Sequence, residues 1–186
     1  MRNLGLSFRV LPSDVEENFA DHLSPEQVVI ELAERKARAV QQALEPGQST
    51  ANSYIIAADT IVVLGDEILG KPADKTDAAA MLSRLSGRCH QVFTGVCVLH
   101  GEQSDAQAES SNVVFRSLSP AEIACYVATE EPMDKAGAYA VQGIGAFMIE
   151  RIEGCITNII GLPVVRTLKM LRAAGLSVME SVHSSE

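Results

Sequence analysis

The stretch from Tyr54 to Leu64 constrains this chain most, because it runs almost wholly through apolar and β-branched side chains. Such a run fits a strand buried on both faces, which needs a covering layer on each side of a sheet. Gly65-Asp66 offers a tight turn into a second strand near Glu67 to Leu69, so the run should open a hairpin. One residue breaks the pattern: Asp59 stands in the middle, where an ionised carboxylate is costly to bury without a partner. It is either a strand-end Asp bonded to backbone amides, or a metal ligand or general base at the mouth of a cleft.

The surrounding pattern mixes helices with strands. Ser7 to Leu11 alternates as a short strand, and Pro12 to Glu17 reads as an acidic loop. Ser24-Pro25-Glu26-Gln27 is a capping box that starts a helix running to about Leu44, with Pro46-Gly47 as its stop. A helix from about Thr76 to Ser86 ends at Gly87, and a strand follows from His90 to His100. A polar loop around Gly101 to Ala108 and a strand over Ser111 to Leu118 come next. Ser119-Pro120-Ala121-Glu122 then caps a helix to about Thr129. The Gly- and Ala-rich stretch from Pro132 to Gly145 reads as a backbone-led loop that lets a ligand approach closely. Strands are expected over Ala146 to Ile152 and Cys155 to Ile160, and Gly161-Leu162-Pro163 starts a last helix to about Ala174. Hairpins interspersed with helices predict an α/β fold on a mixed sheet.

With 186 residues, 47% of them apolar, the chain can bury a core as one domain or as two closely packed lobes. The 24 acidic against 15 basic residues, a net charge of −9, repel polyanions and exclude a nucleic acid partner. A phosphate-bearing ligand must then be held by a few well-placed cations or by a metal bridging it to carboxylates. No apolar run reaches the roughly 18 residues of a membrane span, and a cytoplasmic location is the default expectation. Cys89, Cys97, Cys125 and Cys155 form no metal-ligand spacing and are expected as reduced, mostly buried thiols. His22, His90, His100 and His183 have no partner spacing for a metal or triad.

Other residues stand out beside Asp59. Lys36 shares a helical stripe with Val29, Leu32, Ala33, Val40 and Ala43, so it either snorkels or holds its ammonium beside a phosphate or carboxylate. Lys71, in Gly70-Lys71-Pro72, follows the hairpin opened by Asp59 and returns toward it as the chain reverses. The spacing is not that of a Walker loop. Glu16 and Glu17 are a solvated acidic pair, or carboxylates for a hard cation. Gln142, between Val141 and Gly143, is a solvated loop residue or one that offers amide donors and a carbonyl to a base edge.

In order along the chain, Ser13-Asp14-Val15-Glu16-Glu17, Lys36-Ala37-Arg38-Ala39-Val40, Ala58-Asp59-Thr60-Ile61-Val62, Leu69-Gly70-Lys71-Pro72, Met81 to Gly87, Asp134 to Gly143 and Gly161-Leu162-Pro163 resemble the Maf family of nucleotide pyrophosphatases. The resemblance covers nearly the whole chain. It implies an elongated α/β fold with two lobes around a nucleotide-binding cleft, often as a homodimer, and hydrolysis of a nucleoside triphosphate to monophosphate and pyrophosphate. It also implies a divalent cation, Mg²⁺ or Mn²⁺. On matching positions it makes Asp59 the proton acceptor, Glu16 with Asp59 the metal carboxylates, and Lys36 and Lys71 the phosphate-binding cations.

Asp59 followed by Thr60, with Gln142 downstream, looks like the subtype acting on dTTP and UTP, in which Thr60 and Gln142 read the base. The subtype for N7-methylated guanosine triphosphate carries Ser-Asp-Gln instead. The family is also associated with septum formation, so a non-catalytic nucleotide-binding regulator of cell division is the alternative. Family members carry a strand and a Ser-Pro-Arg-Arg loop ahead of a segment like Arg2 to Phe8. This resemblance therefore expects an N-terminally truncated domain over 1–176, with a flexible tail over 177–186.

Overall fold

A computed structural model describes residues 1, 4–13, 15–20, 22–44 and 53–178. The expectations for Pro46-Gly47 as a helix stop, for Arg2, Asn3, Asp14 and His183, and for the tail past Val178 lie outside the described residues.

The elements follow in the order α1 (Pro25–Ala43), β1 (Tyr54–Leu64), β2 (Glu67–Leu69), α2 (Lys75–Leu85), β3 (Cys89–His100), β4 (Gln103–Phe115), α3 (Pro120–Ala128), β5 (Ile149–Glu153), α4 (Ile156–Ile159) and α5 (Val164–Ala173). The five strands form one sheet in the order β2-β1-β3-β4-β5. The α/β class with helices flanking a sheet is as expected from sequence, but the sheet is antiparallel rather than mixed. β1 pairs with β2 and β4 with β5 in antiparallel register. Tyr54 stacks on His100 while Thr60 meets Thr94, which sets β1 antiparallel to β3 as well. The crossover through α2 joins β2 to β3, which lie on either side of β1, so no parallel neighbours arise.

The chain divides into two compact units, and β1, β3 and β4 each contribute residues to both. The first comprises Met1–Asp59, Gly95–Ala108 and Leu162–Glu186. Strand alternation is visible in its packing. Ile55, Ala57, Cys97 and Leu99 pack with Ala33 and Ala37 of α1, whereas Ile56, Ala58, Val96 and Val98 pack with Met170 and Leu171 of α5. Val178 is buried in the second cluster. Over the first half of β1, the double-sided cover inferred from its apolar run is therefore supplied by α1 and α5.

The capping box at Ser24 and Gln27 is formed as the sequence implies and starts α1. α1 approaches β3 so closely at Gly95 that a Cβ there would sit 2.1 Å from the Val29 carbonyl oxygen and 2.3 Å from its carbon. Gly95→Ala is expected to push helix and strand apart and to lower stability by about 1–3 kcal/mol, the range for overpacked cores. An unchanged urea midpoint would contradict that.

The second unit comprises Thr60–Thr94 and Glu109–Gly161. Here Val62, Leu64, Val92, Val113 and Phe115 of the strands pack with Leu82 and Leu85 of α2 and Ile123 and Tyr126 of α3. α3 starts on the Ser119–Glu122 capping box as the sequence implies, and α2, expected from about Thr76, starts at Lys75 behind an Asp74 cap.

Four local expectations are corrected. Ser7 to Leu11 is exposed and not a strand, since alternation gains nothing where neither face is buried. The polar loop expected at 101–108 reduces to a turn at Gly101-Glu102, and β4 begins at Gln103; polar residues suffice because this stretch is only half-buried. Cys155 to Ile160 is a helical turn rather than a strand: Gly154 turns the chain at φ 121°, and Asn158 is drawn fully inside. Of the four cysteines only Cys97 is buried, whereas Cys89 and Cys125 are exposed.

Candidate functional site

The alternation that puts Ile55 and Ala57 against α1 carries Asp59 to the same face. On α1, the buried stripe Val29, Ala33, Ala37 places Lys36 at its edge. Helix and strand thus bring opposite charges together by their periods alone. Asp59 is 8% exposed, and the Lys36 ammonium donates a hydrogen bond to its Oδ1. The same ammonium donates to Glu17 Oε1 at 3.1 Å. A carboxylate this buried is tolerable only with such a partner. Lys36 side-chain exposure is 20%, so it neither snorkels freely nor is sealed off. Burial pulls the Lys36 pKa down, but hydrogen bonds and charge from Asp59, then Glu17, overcome it and hold the ammonium above the ordinary lysine value.

The acidic loop reaches this pair through Glu17, not Glu16. Glu16 is exposed and accepts a hydrogen bond from Asn18 Nδ2 at 3.1 Å. Two carboxylates, Asp59 and Glu17, converge on a single cation, and this hard-oxygen donor set is of the kind that Mg²⁺ or Mn²⁺ takes together with phosphate oxygens. Among the described residues no group of three or more His, Cys, Asp or Glu is arranged to hold a metal ion. A divalent ion here would therefore need ligands from substrate or water to complete its shell.

The other predicted residues lie in the second unit. Thr60 is half-buried, and its Oγ1 is 2.8 Å from Thr94 Oγ1. Thr94 Oγ1 in turn donates to the Asn158 carbonyl oxygen at 2.8 Å. Lys71 is exposed just past Leu69, whose register partner is Val62. The Gly70 carbonyl before it accepts from the Gly137 amide at 3.0 Å, tying this turn to the Gly-rich loop. Gln142 is exposed in that loop.

Sequence reasoning missed what holds the loop. Glu131 accepts from the amides of Ile144 at 2.9 Å and Gly145 at 3.0 Å and from the Tyr126 hydroxyl at 2.9 Å. The Tyr126 oxygen accepts from the Ala140 amide at 3.2 Å. These bonds bracket Gln142 on both sides. Desolvation raises the Glu131 pKa, yet the two amides and the tyrosine outweigh it and keep the carboxyl below its ordinary value. A glutamate just past a helix end carries no signal for this role, because its partners lie in a later loop. Asn158 and Thr94 were likewise silent: one was hidden in an expected strand, and the other was an ordinary β-former.

Among the described residues no helix is long and apolar enough to cross a membrane. The Maf-like protein family matches residues 1–174. A dTTP/UTP pyrophosphatase of Pelotomaculum thermopropionicum is 46% identical over 181 residues, covering 96% of this chain and 92% of the relative. That of Syntrophomonas wolfei is 42% identical over 180 residues, with 96% and 92% covered. That of Geobacillus sp. is 45% identical over 170 residues, covering 91% of this chain and 88% of its own.

Proposed function

The chain belongs to the Maf family, and on that footing we propose that it hydrolyses dTTP and UTP to the nucleoside monophosphate and pyrophosphate. The observation that carries this is the 46% identity, over 96% of the chain, to a relative bearing that name. A buried Asp59 held on Lys36 supports it chemically.

In the reaction, a water oxygen attacks the α-phosphorus and gives its proton to the Asp59 carboxylate. The α–β anhydride bond breaks, and its electron pair leaves with pyrophosphate. Lys36 ties the two events together. In the free protein its ammonium is shared by Asp59 and Glu17. A triphosphate that draws the ammonium onto its own oxygens would leave the Asp59 carboxylate open to the attacking water. Lys71 is the second phosphate cation, contributing electrostatically. Mg²⁺ or Mn²⁺ would be held by Asp59 with one glutamate of the acidic loop, Glu16 or Glu17, its shell completed by water and phosphate oxygens, and would neutralise charge on those oxygens. Thr60 and Gln142 face the base, where paired donors and acceptors discriminate better than an apolar wall. The enzyme acts in the cytoplasm on free nucleotides, and the net charge of −9 supports a partner other than nucleic acid.

The test is pyrophosphate release across a nucleotide panel with Mg²⁺ or Mn²⁺. Turnover of dTTP and UTP above purine nucleotides is expected. Tight nucleotide binding without pyrophosphate release would instead indicate a regulator.

A further inference from the structure

The hydroxyl of Thr60 ends a directed chain of hydrogen bonds whose members all lie in the second unit. A threonine hydroxyl has one proton to donate. Thr94 spends its proton on the Asn158 carbonyl, an atom that can only accept. The 2.8 Å contact between the Thr94 and Thr60 oxygens can then be made in one sense only, with Thr60 donating to Thr94. Thr60 has no proton left for a ligand and presents lone pairs alone.

The anchor of this chain cannot turn. Asn158 is fully buried, with Nδ2 donating to the Val92 carbonyl at 2.9 Å and to Ser111 Oγ at 3.0 Å. Ser111 Oγ donates to the Cys155 carbonyl at 3.1 Å and accepts from the Cys155 amide at 3.0 Å. Thr94 itself is 0% exposed, so it acts on a ligand only through Thr60.

We infer that Thr94 is a positioning residue that makes Thr60 an obligate hydrogen-bond acceptor toward the base, and that the site thereby favours a base edge carrying a ring N–H. Uracil and thymine have that proton at N3, whereas the N3 of cytosine is an unprotonated acceptor and would face Thr60 lone pair to lone pair. The inference rests on the reading that Thr60 faces the base at its N3 edge; at the 4-position the amino group of cytosine would donate to it instead and the preference would reverse. Removing the acceptor at position 94 frees the Thr60 hydroxyl to turn and donate, which relieves the clash with cytosine.

The experiment compares UTP with CTP, which differ only at N3 and the 4-position. The kcat/KM ratio of UTP to CTP is expected to fall about tenfold or more in Thr94→Val, by loss on UTP and gain on CTP, and to stay within about threefold of the parent in Thr94→Ser. A merely structural role would lower both nucleotides alike and leave the ratio in place. Binding of the α,β-imido analogues of UTP and CTP is measured in parallel, so that base preference is read whether or not turnover occurs. Hydrolysis of UTP with an unchanged ratio in Thr94→Val overturns the inference and leaves the hydrolase reading standing. Preferential binding of imido-UTP that is lost in Thr94→Val, without any turnover of UTP, supports the inference and overturns the hydrolase reading. Should Thr94→Val not fold, 3-methyl-UTP, which lacks the N3 proton, tests the same point on the unaltered protein: at least about tenfold weaker binding than UTP is expected, and equal binding overturns the inference.

Discussion

Replacing Asp59 by Asn should lower kcat by about 10²- to 10⁴-fold, the contribution of a positioned general base. Asparagine keeps the shape of the side chain but can neither take a proton at neutral pH nor carry the charge that Lys36 now meets. The effect should fall on kcat more than on KM, because proton removal belongs to the chemical step. Stability should suffer less. Breaking a fully buried pair costs roughly 3–5 kcal/mol, but Lys36 keeps Glu17 at 3.1 Å and is partly open to water, so the loss should be well below that range. With that negative charge gone, the Lys36 pKa should drop from its raised value. Stopped assays of pyrophosphate release, with urea midpoints to check folding, decide the matter. Retention of more than a tenth of kcat would exclude Asp59 as the base.

The second large effect concerns acid. His90 is 2% exposed, with Nε2 2.8 Å from the Tyr139 hydroxyl and the rings of Phe115 and Tyr139 edge-on at 4.9 and 5.4 Å. Burial among these rings pushes its pKa down from 6.5 to about 4. Above pH 6.5 the imidazole is neutral in both folded and unfolded chains and the group is silent. Between pH 6.5 and 4 the unfolded chain binds a proton that the folded one refuses, so stability falls as pH falls, and below about 4 the contribution levels off. The gap corresponds to about 3 kcal/mol at about 1.4 kcal/mol per pH unit.

Carboxylates add their own loss at lower pH. Glu122, held at about 2 by Arg116 and then by Ser119, stabilises the fold fully above 4.5 and loses that contribution as pH falls toward 2. Urea unfolding at pH 7.5 and 4.5 should therefore show a steep decline in the parent protein and a clearly shallower one in His90→Phe. Equal slopes would mean that His90 charges without penalty.

Much of this architecture is legible in the linear chain because local rules wrote it. The capping boxes at Ser24 and Ser119, the Gly65-Asp66 turn and the apolar run of β1 each act within a few residues, and all four appear where the sequence places them. Asp59 and Lys36 could be singled out for the same reason. Each violates the period of its own element, and a violated period shows without knowledge of the partner. Their meeting follows from two periods pointing at each other across one helix–strand contact.

Tertiary structure decided the rest, where the stabilising partner lies far along the chain. Cys155 to Ile160 has a strand-like composition, yet the segment coils into a helical turn that buries Asn158, whose amide donates to the Val92 carbonyl and to Ser111 far along the chain. Which glutamate of the acidic pair meets Lys36, and that Glu131 and Tyr126 hold the loop around Gln142, depend on contacts between loops, which no periodicity encodes. The proton order from Thr60 through Thr94 to Asn158 is the extreme case. Sequence alone determined that a hydroxyl follows the buried carboxylate; only the folded chain, by setting a carbonyl that cannot donate at the far end, decided which way that hydroxyl points.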